Sequence, residues 1–322
     1  MTRPEKPFER LAVRFTSGDA YCSAWLYVPR GADATPAPVV VMGHGMGATR
    51  EMGLAPFAER FAAAGLAVLV FTYRNFGDSG GRNRQVVSVK SQLADWESAL
   101  SYVKTVQQID ASRTAVWGTS FGGGHAITMA SRHPELAAAV AQCPFTDGTA
   151  SAGALGIITT LRVFALVARD HIARLRGHAV TVPIVAPPGH LALMNAPDAL
   201  PGYNNLLPAE YGWLNYTPAR SIPNLIRYRP GRAARKIAIP ILFCVSSTDT
   251  VAPPQQTLNY ARLAPVGDVR IYEAGHFDFY IGDVQQRLAD EQADFLIRHL
   301  HRVSPEGHGQ DRPHRNGSTT TG

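Results

Sequence analysis

The feature that most constrains this chain is a recurring alternation of short, continuous apolar runs with amphipathic helical patterns. The runs are "APVVVMG" (37–43), "LAVLVFTY" (66–73), "TAVWG" (114–118), "LAAAVAQC" (136–143), "KIAIPILFCVSS" (236–247) and "DVRIYEAG" (268–275). Each is short enough for a strand and apolar on both alternating faces, as a strand covered on two sides must be. Between them lie helical patterns, "APFAERFAAAG" stopped by Gly65 and "VKSQLADWESALSYVK" with Leu93, Trp96, Leu100 and Val103 on one face. Strand, helix, strand repetition predicts an α/β fold with a mostly parallel central sheet and helices on both faces. The segments "LAVRFT" and "YCSAWLYVP", parted by Ser-Gly-Asp, predict an antiparallel pair at the start. A final helix is expected over "VQQRLADEQADFLIRHLHR".

The rhythm breaks between 145 and 236, where a helical pattern leads into the Pro-, Gly- and Asn-rich stretch "VPIVAPPGHLALMNAPDALPGYNNLLP". The expected organisation is a core of residues 1–144 and 237–302, a cap inserted over 145–236, and a disordered polar tail over 303–322. The chain's net charge of +6 is concentrated: ten basic residues against three acidic ones give 160–236 a surplus of +7. No base-reading module accompanies it, so a basic cap is the reading and nucleic acid is not expected as a partner. No secretory signal is seen at the start, and the longest apolar stretch is broken by Arg162, so no integral membrane segment is expected. Three cysteines, Cys22, Cys143 and Cys244, form no disulfide framework and have no metal-ligand spacing. The expectation is a cytoplasmic protein with no metal and no cofactor.

Within this frame "GTSFG" (118–122) falls between a predicted strand and a predicted helix, the setting in which a strained turn lifts a serine out of the fold. A hydroxyl needs a base before it can attack anything, and His276, after the predicted strand at 268–275, reaches the same sheet edge. Asp249, after the strand "IPILFCV", is the acid expected to orient that histidine, with Asp147 and Asp278 as rivals. The oxyanion donors are assigned to the N–H groups of Phe121, directly after Ser120, and Met46, in "MGHGMGATR". His44 in that loop reads either as a brace or as a second base.

Together, "GHGMG", "GTSFGG", "SSTDTVAPP" and "AGHFDFY" resemble the α/β-hydrolase fold, over about residues 10 to 300. The loop "FTYRNFGDSGG" is similar to that fold's Asp-x-Arg-Gly-x-Gly-x-Ser-x-Gly pattern, with Thr72 in place of Asp and Asn75 in place of Gly. "HGMGATREMGL" with "TSFGGGHAITMA" and "YRPGRAARKIAIP" resembles a dienelactone-hydrolase-like group that extends to polyketide transferases and thiohydrolases. The resemblance implies a serine hydrolase acting on a carboxylic ester or thioester. An acyltransferase, a proline-type serine peptidase and a non-catalytic ligand binder are its alternatives. Expected substrate contacts are His44, Gly45, Ile157, Leu161 and Phe164, with Arg227 and Arg229 holding an anionic handle such as an acyl carrier protein or a CoA thioester. A homodimer is a further expectation.

Overall fold

A computed structural model describes residues 5–152 and 157–301, without the side chains of 151, 152, 157 and 158. The tail expected to be disordered from 303 lies outside the described residues. In chain order the elements are β1 (Phe8–Ser17), β2 (Ala20–Pro29), β3 (Ala37–Gly43), α1 (Ala55–Ala63), β4 (Ala67–Phe71), α2 (Val89–Val103), β5 (Ile109–Thr119), α3 (Phe121–Arg132) and β6 (Ala138–Gln142). The chain then leaves the sheet for α4 (Gly148–Ala152), α5 (Ile157–Arg174), β7 (Thr181–Val182), α6 (Ala199–Leu206), β8 (Thr217–Pro218) and α7 (Ile222–Arg227). It returns with β9 (Ile241–Ser246), α8 (Pro254–Ala261), β10 (Gly267–Tyr272) and α9 (Gly282–Leu300).

Eight strands form one sheet in the order β1-β2-β4-β3-β5-β6-β9-β10. β2 pairs antiparallel with both β1 and β4, and every pairing from β4 to β10 is parallel. The fold is therefore α/β with a mostly parallel sheet. Strand alternation divides the apolar side chains between two cores. Val39, Val41, Leu69 and Phe71 face α2 and α3, while Val40, Met42, Val68, Val70 and Trp117 face α1 and α9. Burying a side chain of this size contributes about 1.5–3 kcal/mol, so the doubly covered strands form the rigid part of the molecule. β5 begins earlier than "TAVWG" predicts, because an irregularity beside Pro38 and Val39 lets Ile109 and Asp110 join the ladder ahead of Thr114.

All catalytic candidates lie at the carboxyl ends of β3, β5, β9 and β10. Between β6 and β9, the described residues of 148–236 stand outside the eight-stranded sheet, with little sheet of their own: β7 and β8 share two residue pairs. Among the described residues no helix is long and apolar enough to cross a membrane.

Candidate active site

Ser120 stands between the last residue of β5 and the first of α3, with φ 55° and ψ −119°. A non-glycine residue in such a region is strained and persists only where its surroundings overdetermine it. Here the Ser120 N–H donates to Gln142 O at 2.8 Å, and the Ser120 carbonyl accepts from Phe145 N–H at 2.9 Å and Gly124 N–H at 3.2 Å. The flanking glycines are required by close approach. A Cβ at 118 would lie 2.0 Å from the Gly122 oxygen, and one at 122 would lie 2.5 Å from the His44 oxygen. Beneath the turn runs a buried polar chain: Gln292 donates to Gln142 (2.8 Å), which donates to Thr119 Oγ1 (3.1 Å), itself 2.6 Å from the Tyr280 hydroxyl.

The loops after β9 and β10 bring two side chains to the serine. His276 Nδ1 lies 2.7 Å from Asp249 Oδ2, and His276 Nε2 lies 3.1 Å from Ser120 Oγ. The other Asp249 oxygen accepts the N–H groups of Val251 (2.8 Å) and Ala252 (2.6 Å), which fixes the orientation of the carboxyl group. His276 therefore donates from Nδ1, leaving Nε2 free to accept the serine proton. Burial opposes protonation of His276, but its electrostatic interactions with Cys143 and Asp249 and its hydrogen bond to Asp249 outweigh burial and raise its pKa well above 6.5. The rival acids are occupied elsewhere. Asp278 accepts the Gly275 N–H at 2.7 Å and so shapes the loop carrying His276. Asp147 binds Arg229 Nε at 2.9 Å and the Tyr260 hydroxyl at 2.5 Å.

Phe121 is the first residue of α3, where backbone N–H groups precede the first helical hydrogen bond and point out of the helix end. Met46 faces it across the cavity that both residues line. Of the two readings of His44, the geometry favours the brace. It is fully buried, its Nε2 accepts the Tyr73 N–H at 3.3 Å, and its Nδ1 donates to the Gly45 oxygen at 3.0 Å. Burial lowers its pKa to about 3, so it stays neutral. His44 thus supports the loop and does not line the cavity. Gly45 packs against the serine itself, where a Cβ would lie 3.3 Å from Ser120 Cβ. Sequence reasoning missed the aromatic residues that hold this loop from above. Tyr203 donates to the Met46 carbonyl (2.5 Å), Trp213 Nε1 to the Gly47 carbonyl (2.8 Å), and the Tyr211 hydroxyl to Thr49 Oγ1 (3.0 Å). The cluster "EYGWLNY" was the available signal.

An apolar cavity of about 160 Å³ opens on Ser120, Phe121 and Met46 and is walled by Val163, Val182, Leu193, Met194, Leu225 and Ile226, among others. This corrects the expected substrate contacts. Leu161 and Phe164 lie on the outer face of α5, 64% and 69% exposed, because the helix turns Val163 toward the cavity instead. Ile157 begins α5, and its side chain is outside the described set. Neither arginine reaches the cavity. Arg227 borders an outer groove with Lys90 and Arg132, and Arg229 is engaged by Asp147. What these two arginines offer is an anchor and an outer basic surface, remote from Ser120.

Comparison with known proteins gives the same architecture. The model of the alpha/beta hydrolase fold family matches residues 38–283. The chain is 48% identical to the quorum-quenching protein AidA of Acinetobacter baumannii (strain MDR-ZJ06), over 92% of this chain and 96% of that protein. It is 26% identical to the thiohydrolase aneE of Aspergillus aculeatus, over 80% and 85% of the two chains. Among solved structures, the alpha/beta hydrolase GrgF from Penicillium sp. sh18 superposes with a TM-score of 0.78 at 24% identity, covering 91% of this chain and 99% of that one.

Proposed function

The chain belongs to the α/β-hydrolase fold family, and on that premise we propose that it is a serine hydrolase cleaving a carboxylic ester or thioester with an apolar acyl group. The observation that carries this reading is the hydrogen-bonded line from Ser120 through His276 to Asp249, at the floor of an apolar cavity. Ser120 Oγ attacks the acyl carbonyl while its proton passes to His276 Nε2. The N–H groups of Phe121 and Met46 receive the oxyanion. Collapse breaks the bond to the alcohol or thiol, which leaves with the proton from His276, and the acyl group stays on Ser120. Water then gives its proton to His276, attacks the acyl-serine and releases the acid. An acyltransferase differs only in that an alcohol takes the place of this water.

Fluorophosphonate labelling tests the reading. The chain should be labelled and Ser120→Ala should not, whereas an unlabelled wild-type chain identifies a binder without turnover. A panel of p-nitrophenyl esters, acyl thioesters and proline anilides, with and without added alcohol, separates esterase, thioesterase, peptidase and transferase. Faster turnover of the anilides than of the esters would overturn the ester assignment.

The relative at 48% identity is named for quorum quenching, and the same role is proposed here: the acyl substrate is a molecule whose loss silences bacterial quorum signalling. Conditioned medium treated with the chain should lose its effect on a reporter strain, and medium treated with Ser120→Ala should keep it. Equal signal after both treatments removes this role while leaving the hydrolase reading to the labelling experiment.

A further inference from the structure

The outermost helix of the molecule carries an apolar surface that neither the fold nor the cavity uses. The inner face of α5, with Val163, Leu166 and Val167, packs on Val182, Ala219 and Ile222, and Asp170 on that face is buried in an ion pair with Arg220 (2.8 Å). Each residue of a helix advances about 100° around its axis, so Leu161, Phe164, Ala165, Ala168 and Ile172 share one outward arc of roughly 100°, and Leu175 follows in the turn directly after the helix. All six are exposed: Leu161 by 64%, Phe164 by 69%, Ile172 by 54% and Leu175 by 87%. Arg162 and Arg169, seven positions apart, are exposed along one border of that arc, and Arg176 is exposed in the turn that follows. Asp170 is the only acidic residue between 157 and 178, and it is turned inward.

We propose that this face of α5 docks on an anionic lipid bilayer, with Leu161, Phe164, Ile172 and Leu175 entering the headgroup boundary and the arginine row meeting lipid phosphates. A helix with a bulky apolar arc edged by arginines is the form that lies in the plane of a membrane interface. Arginine stems can follow the apolar surface while their guanidinium groups stay at the phosphate level. A second copy of the chain is a poorer occupant. A two-fold contact through this arc brings a like-charged arginine row from each protomer into one interface that has no outward acid to offset it. A lipid surface also needs no shape to match the protruding side chains, which stand on a convex helix rather than in a groove. Because Val163 on the same helix lines the cavity above Ser120, docking sets the cavity wall against the apolar phase. The proposal does not depend on the catalytic reading, since its test measures binding alone.

The full chain is sedimented with vesicles of phosphatidylcholine containing about 30% phosphatidylglycerol and with vesicles of phosphatidylcholine alone. Binding is expected to the first and to be at least about tenfold weaker to the second, since the anionic lipid supplies the electrostatic part of the affinity. Phe164→Ser with Leu175→Ser should weaken binding to the anionic vesicles by about tenfold or more, because two exposed side chains lose their burial in lipid. A Phe164→Trp chain should show a blue shift of the emission it adds on meeting the same vesicles, a readout of insertion that does not depend on the double variant. Any of three results would overturn the proposal: no co-sedimentation with anionic vesicles, equal binding by the double variant, or no shift from Phe164→Trp. Sedimentation velocity supplies a further contradiction, a dimer that the double variant abolishes, as does capture of an acidic carrier protein in place of vesicles.

Discussion

At the rim of the sheet, Ser120, Asp249 and His276 are at most 9% exposed, and each is held by hydrogen bonds from residues at the ends of different strands. In the insertion above them, α5 turns Leu161, Phe164 and Ile172 to solvent, and the β-pairing among the described residues is the two-residue match of β7 and β8 and a single bridge between Val185 and Met194. The first region tolerates no displacement: a hydroxyl 3.1 Å from a ring nitrogen loses its proton only if both stay in place. The second joins the core through buried apolar residues such as Ile184, Val185, Tyr203 and Leu225, and through polar ties. Asp147 ties its beginning to Arg229 near its end, and Tyr203, Tyr211 and Trp213 hold the Met46 loop. The difference teaches where each property resides. On the proposed function, proton transfer would depend on the doubly covered sheet, and acyl selection on the cavity lining that the insertion supplies.

The largest expected effect breaks the rim and leaves the insertion whole. Asp249→Asn keeps the volume but removes the charge and invites the wrong histidine tautomer, so kcat should fall by about 10⁴-fold. The pH profile carries a second signature. In the proposed mechanism His276 acts as a base only when neutral, and burial lowers its pKa, but its interactions with Cys143 and Asp249 and its hydrogen bond to Asp249 outweigh burial and raise it well above 6.5. Activity of the wild-type chain should therefore fall as pH drops through a midpoint above 6.5. In Asp249→Asn the residual acid limb should move to lower pH, and an unmoved midpoint would show that the limb reports another group.

The reverse change alters the insertion and spares the rim. Val163→Trp fills part of the 160 Å³ cavity from the α5 side. Turnover of an octanoyl ester should fall by about 10- to 100-fold, the size of a lost apolar contact, while an acetyl ester keeps most of its rate. Equal losses on both esters would mean that the cavity does not receive the acyl chain.

A smaller effect reads the seam between the two regions. Burial alone would raise the Asp147 pKa, but hydrogen bonds from Thr149, Tyr260 and Arg229 outweigh it and bring it from 3.8 down to about 2. A depressed carboxylate stabilises the fold above its unfolded pKa and loses that contribution as pH falls through the folded one. Asp147→Asn should therefore lower Tm by about 3 °C at neutral pH. The gap between the two chains should narrow as pH falls from about 4 toward 2 and close below that. A gap that stays constant over this window would place the stabilisation in packing instead.

Much of the rim was legible in the sequence, because Ser120, Asp249 and His276 each follow a recognisable strand and the glycines around Ser120 mark a close approach. The two departures from the family loop also have local reasons. Asn75 takes φ 73°, a left-handed backbone that asparagine tolerates better than most residues. Thr72 Oγ1 accepts from the Arg50 backbone N–H at 3.2 Å. The insertion was harder to read because its contacts, apolar and polar alike, reach residues far away in the chain. A period of 3.6 finds α5, but an apolar residue on either face satisfies that period, so Phe164 and Val163 exchange roles without any change of pattern. Arg227 and Arg229 likewise count equally in a charge sum, although Asp147 engages only the second.

The smallest expected effect tests whether the insertion reaches the chemistry through the loop it holds. Trp213 donates from Nε1 to the Gly47 carbonyl at 2.8 Å and stacks on Tyr203, with ring centroids 5.1 Å apart. Trp213→Phe keeps a stacking ring and deletes that one donor. Trp213 is half-buried, so water can replace the donor and the cost stays well below that of stranding a buried carbonyl. A loosened Gly47 should let the neighbouring Met46 N–H drift from its aim. The expected result is a fall in kcat of about two- to fivefold with little change in KM, since a donor to the oxyanion acts in the transition state rather than on bound substrate. A change confined to KM would mean that Trp213 shapes the cavity alone, and the two regions would then meet at the substrate and not through the Met46 loop.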